Sequence, residues 1–392
     1  MESILSHPLF WPFVLTVAII ALFPLAAGYI VLVERKVLAD IQVRLGPMRV
    51  GPHGLLQPIA DAFKLLLKED IIPANADKAI FWAGPVISTF TALTCFSVLP
   101  FSEKIRVADV NVGLLVVSAM SALGILGIIL GGWASNSHYP LLGALRSAAQ
   151  LVSYEVALGL ALISGVMMAG TLSMVNIVKV QQERGVWLVF DNWGLMAVTF
   201  AVYFIAALAE TNRLPFDLPE AESELVAGFM TEYSGFRWAL YFLAEYGNMV
   251  VVSSVAVTLF WGGWLRPFPN LGFLEIPLNY AFPVLLFAGS GLATLWLVKR
   301  QATAFRKGFL AAVALGLLLA AALFAIPAVN QAVIGVFWFF LKVAVLLYIM
   351  IWIRGTFPRF RYDQLMNIGW KILIPLGMGL VLANALIGMI RS

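Results

Sequence analysis

The sequence predicts an all-α, polytopic membrane protein of about ten transmembrane helices, with long polar inside loops and one amphipathic interfacial helix. Three observations carry this reading. The 392 residues are 61% hydrophobic, and their mean hydropathy is +0.93. Only 12% are charged, where a soluble domain holds about a quarter. Ten stretches reach the roughly 20 apolar residues that cross a bilayer, namely 10–33, 79–100, 111–133, 146–170, 187–209, 238–260, 279–298, 308–326, 331–353 and 369–390. Continuous apolar runs indicate helices, because barrel strands alternate polar with apolar residues. The whole of 1–392 reads as a single integral membrane domain.

The same composition excludes other classes. One cysteine, Cys95, cannot staple a disulfide scaffold. With only His7, His53 and His138 beside it, no metal site or iron–sulfur cluster is expected. No phosphate loop, dinucleotide fingerprint, nucleophile elbow or HExxH motif occurs, so self-contained NTPase, dehydrogenase or hydrolase chemistry is not expected. No basic face for nucleic acid stands out. No internal repeat is found, which weighs against an inverted-repeat transporter.

The first stretch, 10–33, lacks a basic n-region and a small-residue cleavage site, and reads as a span rather than a signal peptide. Orientation follows from Lys and Arg in the loops. With the N-terminus outside, 18 of the 25 basic residues fall on the inside face. The expectation is therefore N-out and C-out, with both termini periplasmic.

Residues 34–78 form the first inside loop. They carry Glu34-Arg35-Lys36, then Arg44, then Gly46-Pro47 and Gly51-Pro52. Pro fixes φ and Gly supplies unusual φ/ψ, so this is a structured turn region. From Pro58 the pattern turns helical, with Ile59, Phe63, Leu66 and Leu67 on one side and Asp61, Lys64 and Lys68 opposite. Such a helix either lies along the membrane surface or docks its charged face on a soluble partner or cavity mouth.

Glu155 falls within the fourth span and Glu245 within the sixth. A charge at mid-bilayer costs about 2.5–3.5 kcal/mol or more on insertion scales, so such residues usually face the bundle interior and serve a function. Between these spans lies an acidic inside loop, 210–237. It holds Glu210, Asp217, Glu220, Glu222, Glu224 and Glu232 against only Arg213 and Arg237, on the face that is otherwise positive. Glu220 and Glu224 become like-charge neighbours on a helix starting near Pro219. Crowded carboxylates raise one another's pKa and can hold and pass protons. Apolar flanks, Leu214-Pro215-Phe216 and Leu225-Val226, argue that the loop folds back toward the membrane. Lys342 is the one basic residue deep in a span, and either snorkels or serves a function. Together these pieces describe a proton-relay segment whose driving reaction lies in other chains.

The motifs are also specific. Glu34-Arg35-Lys36, Arg44-Leu45-Gly46-Pro47 and Gly51-Pro52-His53-Gly54-Leu55-Leu56-Gln57-Pro58 resemble the first signature of the H-type membrane subunits of bacterial NADH–quinone oxidoreductase (respiratory complex I). Ala209-Glu210-Thr211-Asn212-Arg213-Leu214-Pro215-Phe216-Asp217 through Val226 resembles the second, continued by Glu232-Tyr233 and Ala244-Glu245-Tyr246-Gly247. Arg354-Gly355-Thr356-Phe357-Pro358-Arg359-Phe360-Arg361 resembles the family's penultimate loop.

The resemblance implies a subunit of a proton-translocating enzyme, in the bacterial inner membrane at the junction of its two arms, with no catalytic centre of its own. Quinone would be the substrate, while NADH, FMN and the iron–sulfur clusters would belong to partner subunits, both hydrophilic quinone-module chains and small membrane chains. Carried over by position, Glu34, Arg35, Arg44, Asp61, Lys64, Arg213 and Asp217 would line the quinone tunnel. Glu155, Glu210, Glu220, Glu222, Glu224, Glu232 and Glu245 would form a proton path. The family's usual eight helices leave 270–326 as a two-helix insertion. The alternatives are a membrane-bound hydrogenase-type complex, disfavoured by the first and third loops, and a stand-alone ion transporter.

Overall fold

A computed structural model describes residues 10–218, 226–300 and 303–391, with no strand among them. Ten helical segments are long and apolar enough to cross a membrane, as the hydropathy pattern requires. In chain order the helices are α1 (Phe10–Ile41), α2 (Gln57–Leu67), α3 (Lys78–Phe96), α4 (Gly113–Ala134), α5 (His138–Ala169), α6 (Met174–Arg184) and α7 (Leu195–Glu210). There follow α8 (Gly235–Leu259), α9 (Phe282–Lys299), α10 (Ala304–Ala325), α11 (Pro327–Thr356), α12 (Tyr362–Asn367) and α13 (Ile374–Arg391). A π-helical turn, Ile368–Leu373, joins the last two into one span.

Helix α8 is the centre of the bundle. It packs on α1, α3, α7 and α11, and 72% of its apolar window is buried. Its second half (Val251, Val252, Ser253, Ser254, Val255, Ala256, Val257) is buried all round, the pattern of a helix without a solvent or lipid face. Helix α5 is the second pillar and packs on α4, α7 and α13. The α3–α4 contact is close because Gly127 leaves room for Ser88, and Gly84 and Gly131 for the Tyr241 hydroxyl, which donates to Gly127 O at 3.0 Å. A Cβ on Gly84 would stand 2.9 Å from Gly127 O, which is why small residues hold this seam.

Three boundaries depart from the hydropathy reading. Helix α1 continues to Ile41, so Glu34, Arg35 and Lys36 are helical rather than part of a loop. Helix α5 begins at His138, which puts Glu155 near the middle of its 32 residues. The 11-residue helix α6 has no counterpart among the hydropathy spans, since it is far too short to cross a bilayer. Its local signals are Ser173, whose hydroxyl accepts from Asn176 N, and Gly185 in the left-handed region at its end.

The turn region of the first loop takes the form its Gly-Pro pairs imply. Gly51 and Gly54 have φ of +73° and +76° around a 3₁₀ turn at Pro52–Gly54, and a Cβ on Gly54 would collide with the Pro47 carbonyl. Helix α2 follows with no residue buried, its Ile59, Phe63, Leu66 and Leu67 all facing outward. Helices α9 and α10 form a peripheral hairpin, of whose apolar windows only 11% and 22% are buried.

Candidate functional site

The loop after α7 carries Arg213 into the interior, where the residue is 4% exposed. Glu34 arrives from α1, Glu245 and Tyr246 from α8, and Arg354 from the end of α11. Arg213 donates from Nη1 to both oxygens of Glu34 at 3.2 and 3.4 Å, and its Nε stands 2.8 Å from Glu245 Oε1. The guanidinium lies over the Tyr246 ring, 4.2 Å from its centroid. The Tyr246 hydroxyl donates to Glu34 Oε2 at 2.7 Å, and Arg354 closes the group by pairing with Glu34. Two carboxylates are thus matched by two guanidinium groups. The balance matters, because a buried charge without a partner costs several kcal/mol (about 3–5 when one member of a pair is removed).

The loop is held in place from three sides. Gln150, fully buried on α5, donates from Nε2 to Ala209 O at 2.8 Å and Phe216 O at 2.7 Å. The backbone of Phe360 donates to Pro215 O at 3.0 Å, and the Phe216 and Phe360 rings meet at 5.4 Å. Arg359 donates to Asp217 at 3.0 Å. The second and third inside motifs therefore form one structure, to which the first contributes Glu34.

A second polar group lies at the surface beside α2. Arg35 pairs with Asp61 at 2.7 Å, and Gln57 donates to the other Asp61 oxygen at 2.8 Å. With Lys64, Lys68, Tyr233 and Trp238, Arg35 and Asp61 border an open cavity of about 340 Å³. Arg237, 1% exposed, anchors this wall through Asp70 at 2.6 Å. Tyr233 stacks on Phe81 with ring centroids 4.1 Å apart. Burial pushes its phenol up to about 12, so it remains a neutral donor to Phe81 O and Gly131 O.

From the Arg213 group a cavity of about 50 Å³ leads past Glu245, Asn248, Ser88 and Tyr241 to Glu210. A second, of about 30 Å³, continues from Glu210 past Ser118, Tyr203, Thr91 and Cys95. Each exceeds the 10–15 Å³ or so that a water molecule needs, and each offers polar partners. Ser121 donates to Glu210 where the two cavities meet.

Of the residues that the sequence singles out, Glu34, Arg213 and Glu245 come together, as do Arg35, Asp61 and Lys64. Asp217 joins through Arg359 and Glu210 through the cavity. Glu155 is half-buried on α5, and Glu232 half-buried just before α8. Glu220, Glu222 and Glu224, with the helix expected from Pro219, lie outside the described residues. Arg44 is not drawn in: it is exposed and donates to Gln42, two residues away. Lys342 does not snorkel. It is buried, donates to Trp261 O and Leu265 O at 2.6 and 2.8 Å, and so satisfies carbonyls beyond the end of α8. Tyr246 and Arg354 are additions to the expected site residues. In the sequence Arg354 signals as one more inside charge at the start of the third motif, and Tyr246 only as part of a motif.

Comparison with known proteins agrees with this picture. A family model described as NADH dehydrogenase matches residues 14–385. The second of two H-type NADH-quinone oxidoreductase subunits from Solibacter usitatus is 70% identical over 390 residues, covering 100% of this chain and 99% of its own. The first such protein from Koribacter versatilis is 52% identical, covering 95% and 91%. The corresponding protein from Rhodospirillum rubrum is 42% identical, covering 93% and 91%. These names favour the quinone oxidoreductase over the hydrogenase-type and transporter alternatives.

Proposed function

The chain belongs to the NADH dehydrogenase family, as a membrane subunit of NADH-quinone oxidoreductase, and on that premise we propose that it walls the quinone-access tunnel and starts the proton path. The single observation that carries the proposal is the balanced ion group of Glu34, Arg213, Glu245, Tyr246 and Arg354, joined at Glu245 by a water-sized cavity to Glu210. The open cavity bordered by Arg35, Asp61 and Lys64 is the entrance side, where hydrophilic subunits would dock over α2. The balanced group is the sensor. A change of charge at the quinone end alters how Arg213 divides itself between Glu34 and Glu245, and Glu245 then passes or withholds a proton toward Glu210 through cavity water. Glu155 and Glu232 belong to the same path, and Glu220, Glu222 and Glu224 are its remaining members. The chain sits in the bacterial inner membrane with both termini outside, so that the ion group faces the cytoplasmic arm. It holds no redox cofactor; NADH, FMN and iron–sulfur clusters reside in the partner subunits.

The test is Glu210→Gln in assembled complex reconstituted in vesicles. Quinone reduction should continue in part while protons moved per electron fall severalfold. Unchanged pumping in fully assembled complex would remove Glu210 from the path.

A further inference from the structure

The α9–α10 hairpin carries none of the residues of the proposed site. Its two helices meet on a small-residue seam, where Ala314 is fully buried and a Cβ on Gly291 would stand 3.0 Å from Leu318. At the outer end it is clamped to α11. Asn330 donates to Asn279 O at 2.8 Å, Phe282 stacks on Trp338 at 5.6 Å, and the Phe287 ring meets Phe337 at 5.9 Å. The inner end is different. Lys299, Arg300, Arg306 and Lys307 stand within nine residues of one another, three exposed and Arg306 half-buried. No Asp or Glu occurs anywhere between Glu275 and Asp363.

Elsewhere on the inside face the arginines Arg35, Arg213, Arg237, Arg354 and Arg359 each have a carboxylate. Among the described residues no carboxylate pairs with the four cations of the hairpin. Arg300 instead lies flat on Trp296, 3.7 Å from the ring centroid, and that tryptophan is 54% exposed on the outward side of α9. A tryptophan beside a cluster of cations at a helix end is the pattern of a residue seated at headgroup level. Below it, Leu285 and Leu292 on α9 and Leu315, Leu319 and Leu323 on α10 are more than half exposed, as side chains in contact with acyl chains would be. The start of α10 also runs beside the Pro52–Gly54 turn of the first inside loop.

We infer that the inner tip of the α9–α10 hairpin is a binding site for anionic phospholipid headgroups, held by Lys299, Arg300, Arg306 and Lys307 with Trp296 as interfacial anchor. Charge complementarity selects the occupant: four cations with no carboxylate partner among the described residues match phosphate oxygens, and the apolar flanks continue into the acyl region. The site fixes a hairpin that protein contacts secure mainly at its outer end, and it places lipid against the first inside loop. The inference does not depend on the tunnel or the proton path.

The experiment uses the intact complex in nanodiscs of phosphatidylcholine doped with a photoactivatable phospholipid, either phosphatidylglycerol or phosphatidylcholine, followed by peptide mapping of adducts. With phosphatidylglycerol, adducts should concentrate on the inner ends of α9 and α10, exceed those of the phosphatidylcholine probe about tenfold or more, and fall as salt is raised. A complex carrying K299Q, R300Q, R306Q and K307Q should lose that excess, while one carrying R300K and R306K should keep it. Equal labelling by the two probes in the unsubstituted complex overturns the inference, whatever the variants do. So does a photo-crosslinker at Phe305 that captures another subunit instead of lipid, since the patch is then a protein interface.

Discussion

Arg213 can serve Glu34 and Glu245 together because a guanidinium is a planar fork with donors on separate edges, and because its face is free to lie on Tyr246. A lysine offers one point charge and no plane to stack. Arg213→Lys is therefore expected to assemble, since the charge balance is kept, but to lower quinone reduction by roughly tenfold or more, as loss of positioning does. Activity of purified complex, normalised to its amount on a native gel, checks this; activity near that of the parent would mean that charge alone matters at this position. Glu245 is visible in the sequence as a carboxylate inside an apolar run, and Glu34 and Arg213 as members of motifs. Tyr246 and Arg354 also stand in motifs, but their part in the group is not readable there, because a tyrosine in a helix and an arginine at a span end are ordinary until a carboxylate 212 or more residues away is brought against them. Lys342 stands out by its depth, but its carbonyl partners beyond the end of α8 can be found only in three dimensions.

Among the elements, the 211–218 loop shows how a segment without regular structure is kept rigid. Its strongest polar restraint is one side chain, Gln150, whose amide satisfies two buried carbonyls on either side of Arg213. Gln150→Leu removes the side-chain donor from both carbonyls and leaves each only its backbone partner, Asn212 N for Ala209 O and Leu218 N for Phe216 O, at about 0.5–1.5 kcal/mol per lost bond. The expected outcome is faster thermal inactivation of quinone reduction at a lower midpoint, with assembly retained; an unchanged midpoint would show that the Phe216–Phe360 and Tyr154–Phe216 ring contacts hold the loop on their own. Long spans are readable because apolar length is a local property, and all ten appear. Their ends are not, because helices such as α1 and α5 run on past the apolar run where other protein, rather than lipid, surrounds them. Helix α6 is hidden for the opposite reason: its 11 residues match no membrane length, and it is stable only because Val175, Ile177 and Val178 are covered by the rest of the bundle.

Over the whole molecule, the distribution of Lys and Arg predicts the orientation, with 18 of 25 assigned to the inside segments, the side to which the ion group belongs. Because Cys95 is the sole cysteine and is buried, a Cys95→Ser background allows one new cysteine at a time to report its side. Lys307→Cys is expected to react with an impermeant maleimide only in inverted vesicles, and Lys104→Cys only in intact cells. Reaction of both from one side would overturn the even span count or the charge rule.

The sequence by itself determined the membrane class, the ten spans and the sorting of charge between faces, since partition between water and lipid depends on the composition of each short stretch. Only the tertiary structure decided which charges meet. Glu34 and Arg213 are 179 residues apart and share a hydrogen bond because α1, α8 and α11 pack around one loop. The same packing leaves the four cations of the α9–α10 tip without an acid among the described residues. An ion pair is a property of distance in space, and distance along the chain carries no record of it.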